Sequence, residues 1–281
     1  MWTNLDRPPL DEAALRKALV AGAGAPADPR SFWRRLDVVA ETGSTNADLL
    51  DRALRGDADR HVLLAEYQSG PRGRHARPWV SPRQAQISMS AVLTMPGRTL
   101  SDMGWLPLLT GVAVVDALRS IADVPAELKW PNDVLIGGRK VAGILAEVAS
   151  AAPDPTAVVG VGLNVSLTAD ELPVPTATSL VLEHAATADR DTLVRGLARA
   201  LAQRWSEWAA AGWDVEALAD AYRARCATIG QSVRAELPGG RVLLGTAVDI
   251  DRDGRLVVQT DDGTRTAVAA GDITHVRAVE R

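Results

Sequence analysis

Four short polar segments interrupt a chain whose remaining runs are apolar and mostly strand-length. They are Ser44-Thr45-Asn46, then Gln68 to Trp79 (Q-S-G-P-R-G-R-H-A-R-P-W), then Lys129-Trp130-Pro131-Asn132-Asp133, then Gly138-Arg139-Lys140-Val141-Ala142-Gly143. A polar segment between two strands falls on a turn or loop, which is where sites are commonly built. Together the four supply hydroxyls and amides, a pair of arginines around a glycine, and two lysines. None supplies an obvious nucleophile or a metal cluster. That set suits a small polar ligand and positive charge gathered around phosphate, as in a reaction that ATP activates.

The patterning around these segments sets the organisation. Residues 11 to 20 read as a short helix, and Ala21 to Pro29 as an Ala/Gly/Pro linker. This extension, 1–36, is smaller than the roughly 50 residues of the smallest independent domains. Strands are expected over Leu36 to Ala40, His61 to Tyr67, Ile87 to Met95, Glu127 to Trp130, Val134 to Ile136, Lys140 to Val148 and Val158 to Val165. Gly137-Gly138 reads as a hairpin turn. Ser44 and Thr45 can cap a helix Ala47 to Arg55, with Asp48 in capping-box position. Further helices are expected over Leu106 to Ile121, Asp191 to Ala211 and Val215 to Cys226. After Gly230 only short strands separated by Gly-containing turns follow, which indicates a small antiparallel barrel of about five strands. The expected units are therefore 37–228 and 229–281.

Composition narrows the function. Of 281 residues 47% are hydrophobic, yet only 4% are aromatic, so aliphatic side chains must do most of the packing. The net charge of -4 gives no basic nucleic-acid surface, although the Arg72 to Arg77 loop is locally basic. One cysteine, Cys226, rules out a disulfide framework, and four scattered histidines lack metal-ligand spacing. No protein metal site is expected. Neither an apolar signal region in Met1 to Leu10 nor a membrane-length run is read, so a cytoplasmic protein is expected.

Each motif has a plain structural explanation beside its chemical one. Ser44-Thr45-Asn46 alone is most simply a helix cap. Arg72-Gly73-Arg74 is either a solvated basic loop or a pair of guanidiniums suited to phosphate, with backbone able to approach a ligand at Gly73. Lys129, Asn132 and Asp133 project from a rigid Pro turn, and Trp130 reads as core. Lys140 opens a near-continuous apolar strand. Gly160 and Gly162 alternate with apolar residues without forming a dinucleotide fingerprint, which suggests close packing or a flat ligand against the sheet. Cys226 reads as a small buried hydrophobe on a helix.

In order, the motifs S-T-N, Q-x-x-x-R-G-R-x-x-R-x-W, K-W-P-N-D, R-K-x-x-G-I-L-x-E and G-x-G-x-N-V closely resemble those of bacterial biotin protein ligases, over roughly residues 37 to 281. The resemblance implies an α+β catalytic domain of the class II aminoacyl-tRNA synthetase type, followed by an SH3-like β-barrel. It implies biotin and ATP with Mg²⁺, and a biotin carboxyl carrier domain of acetyl-CoA or acyl-CoA carboxylase as partner. It resembles the monofunctional type without a DNA-binding domain, so no DNA and no membrane are expected. By the same resemblance Ser44, Thr45, Asn46 and Gln68 bind biotin, and Arg72, Gly73 and Arg74 close over it. Lys140 meets the carboxylate, while Gly143, Leu145 and Gly162 line the pocket. Asn132 and Asn164 face the nucleotide, Lys129 the phosphates, and Trp79 either anchors the end of the loop or borders the nucleotide. Lys140, Arg74 and Lys129 are the implied catalytic residues. Two departures stand out: Gly70-Pro71 replaces the usual Ala-Gly, removing a backbone donor at Pro71, and Ala76 stands where Gly is common. The rival readings are a lipoate or octanoate ligase or transferase, and a nucleic-acid-binding regulator.

Overall fold

The structure is a computed structural model, and it describes residues 7–20, 32–56, 58–71, 73–74, 79–151, 153–237, 241–269 and 272–275. The Ala21 to Pro29 linker therefore lies outside the described residues. A seven-stranded mixed sheet forms the centre, in the order β1 (Arg35–Val39), β2 (His61–Ala65), β3 (Gln86–Thr94), β7 (Thr156–Asn164), β6 (Arg139–Ser150), β5 (Asp133–Ile136) and β4 (Ala126–Lys129). Only the β1–β2 pair is parallel; the other pairs are antiparallel.

The two faces of this sheet carry different helices, as the period-two alternation requires. On β2, Val62 and Leu64 join the main core, where α3 (Leu106–Ala117) and α4 (Arg190–Ala210) pack, and Leu63 points to α2 (Thr45–Leu54) on the opposite face. Leu63, Val92 and Val158 meet Leu49 of α2 there. α1 (Glu12–Leu19) buries Leu15 and Leu19 in the main core. The segment before it is fixed by a buried ion pair, Arg190 to Glu66 at 2.7 Å, whose carboxylate also accepts from the Leu10 N–H. The helical run Leu100–Ala122, 23 residues, is apolar and long enough to cross a membrane by length and composition, contrary to the sequence expectation; 72% of its apolar window is buried inside the fold.

The second sheet is antiparallel, in the order β11 (Arg265–Val268), β10 (Leu256–Gln259), β9 (Val242–Ile250), β8 (Ser232–Glu236) and β12 (Asp272–His275). β11 and β12 lie at opposite edges, so among the described residues the strands do not close into a barrel. Two tryptophan side chains tie this sheet to the rest: Trp105 Nε1 donates to Arg252 O at 2.7 Å and Trp130 Nε1 to Gly254 O at 3.0 Å. α5 (Glu216–Arg223) ends before Cys226, which instead bridges to Leu128, buried beside the first sheet.

Candidate ligand-binding site

The face of the sheet that carries α2 continues past the helix's N-terminus as the floor of a cavity of about 820 Å³. Sheet register explains the change in character. Under the helix body, Val92 lies opposite Val158, and these are apolar. Two rows further along, Ser90 lies opposite Gly160 and Ser88 opposite Gly162, while Leu145 and Gly143 of β6 continue those rows. Small and polar side chains there leave room that a helix would otherwise fill.

One end of the cavity is a closed set of hydrogen bonds. Ser44 is the N-cap of α2, its hydroxyl accepting from Ala47 N. Asp48 does not complete a capping box; it accepts from the Thr42 hydroxyl at 2.6 Å instead, because the helix starts one residue earlier than a Thr45 cap requires. Gln68 Oε1 accepts from Thr45 N at 2.8 Å. Thr45 Oγ1 lies 2.7 Å from Ser90 Oγ, and Ser90 donates to Asn46 Oδ1 at 2.6 Å. Asn46 Nδ2 donates to Glu147 Oε2 at 2.8 Å. Gly160 makes this possible: a Cβ there would lie 2.2 Å from Asn46 Oδ1.

The aromatic wall is Trp79. Its Nε1 donates to Gln86 Oε1 at 2.7 Å, and a Cβ on Gly162 would lie 2.6 Å from that nitrogen. Gly143 likewise leaves space for Trp79 and Lys140. The glycines thus admit neighbouring side chains of the protein as well as bare floor.

The other end is cationic. The hairpin between β5 and β6 turns at Gly137 and Gly138, both at positive φ (55° and 75°), as a two-residue turn of this hand needs. A bulge follows, pairing Leu135 with Lys140 but Val134 with Ala142. The extra residue puts Lys140 on the same side as Gly143, which an unbroken strand would not do. Lys140 Nζ lies 2.6 Å from Asp133 Oδ1 and 5.1 Å from the Trp79 ring centre. Lys129 ends β4, and Trp130-Pro131, a cis peptide, leads to Asn132. Arg74 Nη1 donates to Asn132 Oδ1 at 3.2 Å, and Asn132 Nδ2 donates to Ile144 O. Asn164 Nδ2 is held by Thr178 O.

The cavity therefore gathers Ser44, Thr45, Asn46, Gln68, Gly73, Arg74, Trp79, Lys129, Asn132, Lys140, Gly143, Leu145, Gly162 and Asn164. Of the residues singled out in the sequence, Arg72 lies outside the described residues, as do Ala76 and Arg77 of the same loop. Ser88 and Ser90 escaped the sequence reading, and Glu147, the last residue of R-K-x-x-G-I-L-x-E, was given no role in it. Their signal was there: Gln86, Ser88 and Ser90 put polar groups on every second position of an apolar strand, and Glu147 interrupts the apolar run of β6. Among the described residues no group of three or more His, Cys, Asp or Glu is placed to hold a metal.

Away from the cavity, the other end of α2 is held by charge. Asp37 of β1 receives Arg16, Arg35, Arg52 and His61. Burial would raise its carboxyl, but hydrogen bonds from Arg35 and Arg16 and the charges of Arg35 and His61 outweigh that, and it titrates at about 2. Burial lowers the pKa of His61, against the attraction of Asp37.

Solved structures share this architecture. A biotin protein ligase from Aquifex aeolicus, in complex with biotin and ATP, superposes with a TM-score of 0.70 over 88% of this chain and 100% of that one, at 24% identity. One from Leishmania major, with biotinyl-5-AMP, gives 0.60 over 84% and 99% at 21% identity. Residues 39–164 match the biotin/lipoate A/B protein ligase family and residues 228–276 the biotin protein ligase C terminal domain. A biotin–acetyl-CoA-carboxylase ligase of Mycobacterium tuberculosis is 49% identical over 96% of this chain and 97% of its own. One of Paracoccus denitrificans is 34% identical over 83% and 98%. The chain belongs to the biotin protein ligase family.

Proposed function

We propose that this chain activates biotin with ATP to biotinoyl-5'-AMP and transfers the biotin to a lysine of a biotin carboxyl carrier domain of acetyl-CoA or acyl-CoA carboxylase. One observation carries the reading: a single cavity joins an uncharged hydrogen-bonding end, Thr45, Gln68 and Ser90, to a cationic end, Arg74, Lys129 and Lys140. Biotin has the matching polarity, a ureido ring at one end and a carboxylate at the other.

In the first step a carboxylate oxygen attacks the α-phosphorus, and the bond to pyrophosphate breaks. Two anions must meet, so the protein's task is alignment and charge neutralisation. Lys140 sits where carboxylate and phosphate would converge, with Asp133 holding it in the interim. Lys129 and Arg74 face the phosphates, Asn132 and Asn164 the nucleotide side, and Trp79 borders it. Ser44, Thr45, Asn46 and Gln68 hold the ureido group, and Gly143, Leu145 and Gly162 line the space along the ring. Arg72 and Gly73 complete the loop that closes over it. Mg²⁺ would accompany ATP and neutralise phosphate charge, a role that needs no carboxylate cluster on the protein. In the second step the lysine nitrogen attacks the acyl carbon, loses a proton, and AMP leaves.

We place the catalytic unit at 37–228 and the C-terminal unit at 229–281, after the extension 1–36, in a cytoplasmic enzyme. A lipoate or octanoate substrate would put an apolar chain against Thr45, Ser90 and Gln68 and strand their polar groups. The test is ATP–pyrophosphate exchange with biotin against lipoate. Biotin-dependent exchange is expected; exchange with lipoate alone would overturn the reading. A mobility-shift assay with DNA is expected to show no binding.

A further inference from the structure

Glu147 closes the motif R-K-x-x-G-I-L-x-E but has no role assigned above, yet it holds one end of the buried chain of hydrogen bonds. We propose that Glu147 is a positioning residue: its carboxylate fixes the Asn46 amide and so sets the direction of the Asn46–Ser90–Thr45 bonds, leaving Thr45 as an acceptor for a ligand N–H. The inference rests on the function proposed above for what that ligand is.

The number of hydroxyl protons fixes the direction of these bonds. Asn46 Nδ2 faces two groups that can only accept, Glu147 Oε2 at 2.8 Å and Leu145 O at 3.3 Å. Its Oδ1 therefore faces Ser90 and must receive a proton. Thr45 and Ser90 have one hydroxyl proton each, and three oxygen pairs compete for the two. The distances are 2.6 Å for Ser90–Asn46, 2.7 Å for Thr45–Ser90 and 3.2 Å for Thr45–Gln68. Ser90 donates to Asn46, so Thr45 must donate to Ser90. The long Thr45–Gln68 pair is left without a proton, and Gln68 Oε1 is satisfied by Thr45 N–H. What Thr45 then offers the cavity is lone pairs alone. All three of Thr45, Asn46 and Ser90 are buried, with at most 6% of each exposed, so water cannot re-set the order cheaply. A charged acceptor at the end of the chain makes the order firm. A ligand with an N–H at Thr45, such as a ureido group, is accepted; a ligand offering only an acceptor there meets lone pairs.

The test compares Glu147→Gln, Glu147→Met and Glu147→Lys in the full chain, by biotin-dependent ATP–pyrophosphate exchange and by calorimetric biotin binding. Met fills similar space with no comparable acceptor, and should raise the KM for biotin about tenfold or more, while kcat at saturating biotin falls less than about threefold. Gln supplies a neutral acceptor and should recover most of that affinity. Lys can only donate, turns the amide round, and should be the worst of the three. The KM for ATP should stay within about twofold in all. Equal values for Gln and Met, a Lys variant no worse than Met, or ATP and biotin KM values rising together would overturn the inference. A wild type that binds biotin without exchange loses the proposed function, and the order of the three dissociation constants still decides the inference. A wild type that binds no biotin overturns both.

Discussion

The two ends of the cavity are built in opposite ways. At the α2 end, Thr45, Asn46, Gln68, Ser90 and Glu147 bond to one another and Ser44 caps the helix, so their geometry is set before any ligand arrives. At the cationic end, among the described residues, Lys140 has one carboxylate partner, Arg74 one amide, and Lys129 no side-chain hydrogen bond. In the proposed function the first end would select by matching donors and acceptors, and the second would supply charge that becomes useful only when phosphate and carboxylate come together. Loss of a residue should therefore raise KM for biotin at one end and lower kcat at the other.

The largest effect expected is at the cationic end. Lys140→Ala removes the cation proposed to face both oxyanions, and adenylation should fall about 100-fold, near 2.7 kcal/mol of transition-state stabilisation. The side chain is about a third exposed, so the fold should survive. Pyrophosphate exchange reads the loss directly. A variant that keeps kcat and changes only the KM for biotin would erase the contrast between the two ends.

Next comes the polar end. Gly160→Ala puts a methyl 2.2 Å from Asn46 Oδ1, in a site with no slack, and should raise the KM for biotin about 30-fold with a smaller change in kcat. Gly162→Ala meets the Trp79 ring at 2.6 Å, outside the Thr45–Ser90–Asn46 hydrogen bonds, so its effect on the KM for biotin should be weaker. Steady-state kinetics on the pair sharpens the comparison, and the reverse order would break it.

The same glycines mark how far the sequence could be read. S-T-N before a helix and the two lysine turns were legible because turn chemistry and capping are local. So were nearly all strands, with their ends shifted by a residue or two. Gly160 and Gly162 were legible as close-approach positions, but not what approaches: Asn46 and Trp79 are distant in the chain and meet them only through the sheet. Lys140 was legible as a lysine out of place, whereas the bulge that turns it to the cavity depends on the register of β5 against β6. The fifth strand, β12, and the open order of the second sheet depend on non-local pairing and carried no local signal.

A smaller effect is expected where the loop meets the cationic end. Among the described residues Arg74 is held by Asn132, to whose Oδ1 it donates at 3.2 Å. Arg74→Gly should still form biotinoyl-AMP but let it escape, since a mixed anhydride outside a closed site reacts with any amine. Serum albumin incubated with ATP, biotin and the variant should be labelled several-fold more than with wild type. Equal, negligible labelling while adenylate is still made would remove retention from Arg74's roles.

The smallest effect on catalysis should come from the far end of α2, where charge sets stability rather than affinity. His61 is buried with its pKa lowered, so the unfolded chain takes up a proton more readily below the ordinary value of 6.5. A depressed pKa gives stability that is full above the unfolded value and lost as pH falls through it. Asp37 follows the same sign lower down: its contribution is intact above the unfolded 3.8 and is lost as pH falls towards about 2. Unfolding free energy by urea should thus decline between pH 7 and 5 from His61, and again below pH 4 from Asp37, by about 2 kcal/mol in the second interval. His61→Gln keeps an N–H for Asp37 and cannot be protonated, so the first decline should flatten while the second remains. The KM for biotin at pH 7 should change little, because the site is held at the other end of the helix by its own hydrogen bonds. An unchanged slope between pH 7 and 5 in the variant would remove His61 from the acid response, and a large rise in KM would show that the two ends of α2 are not independent.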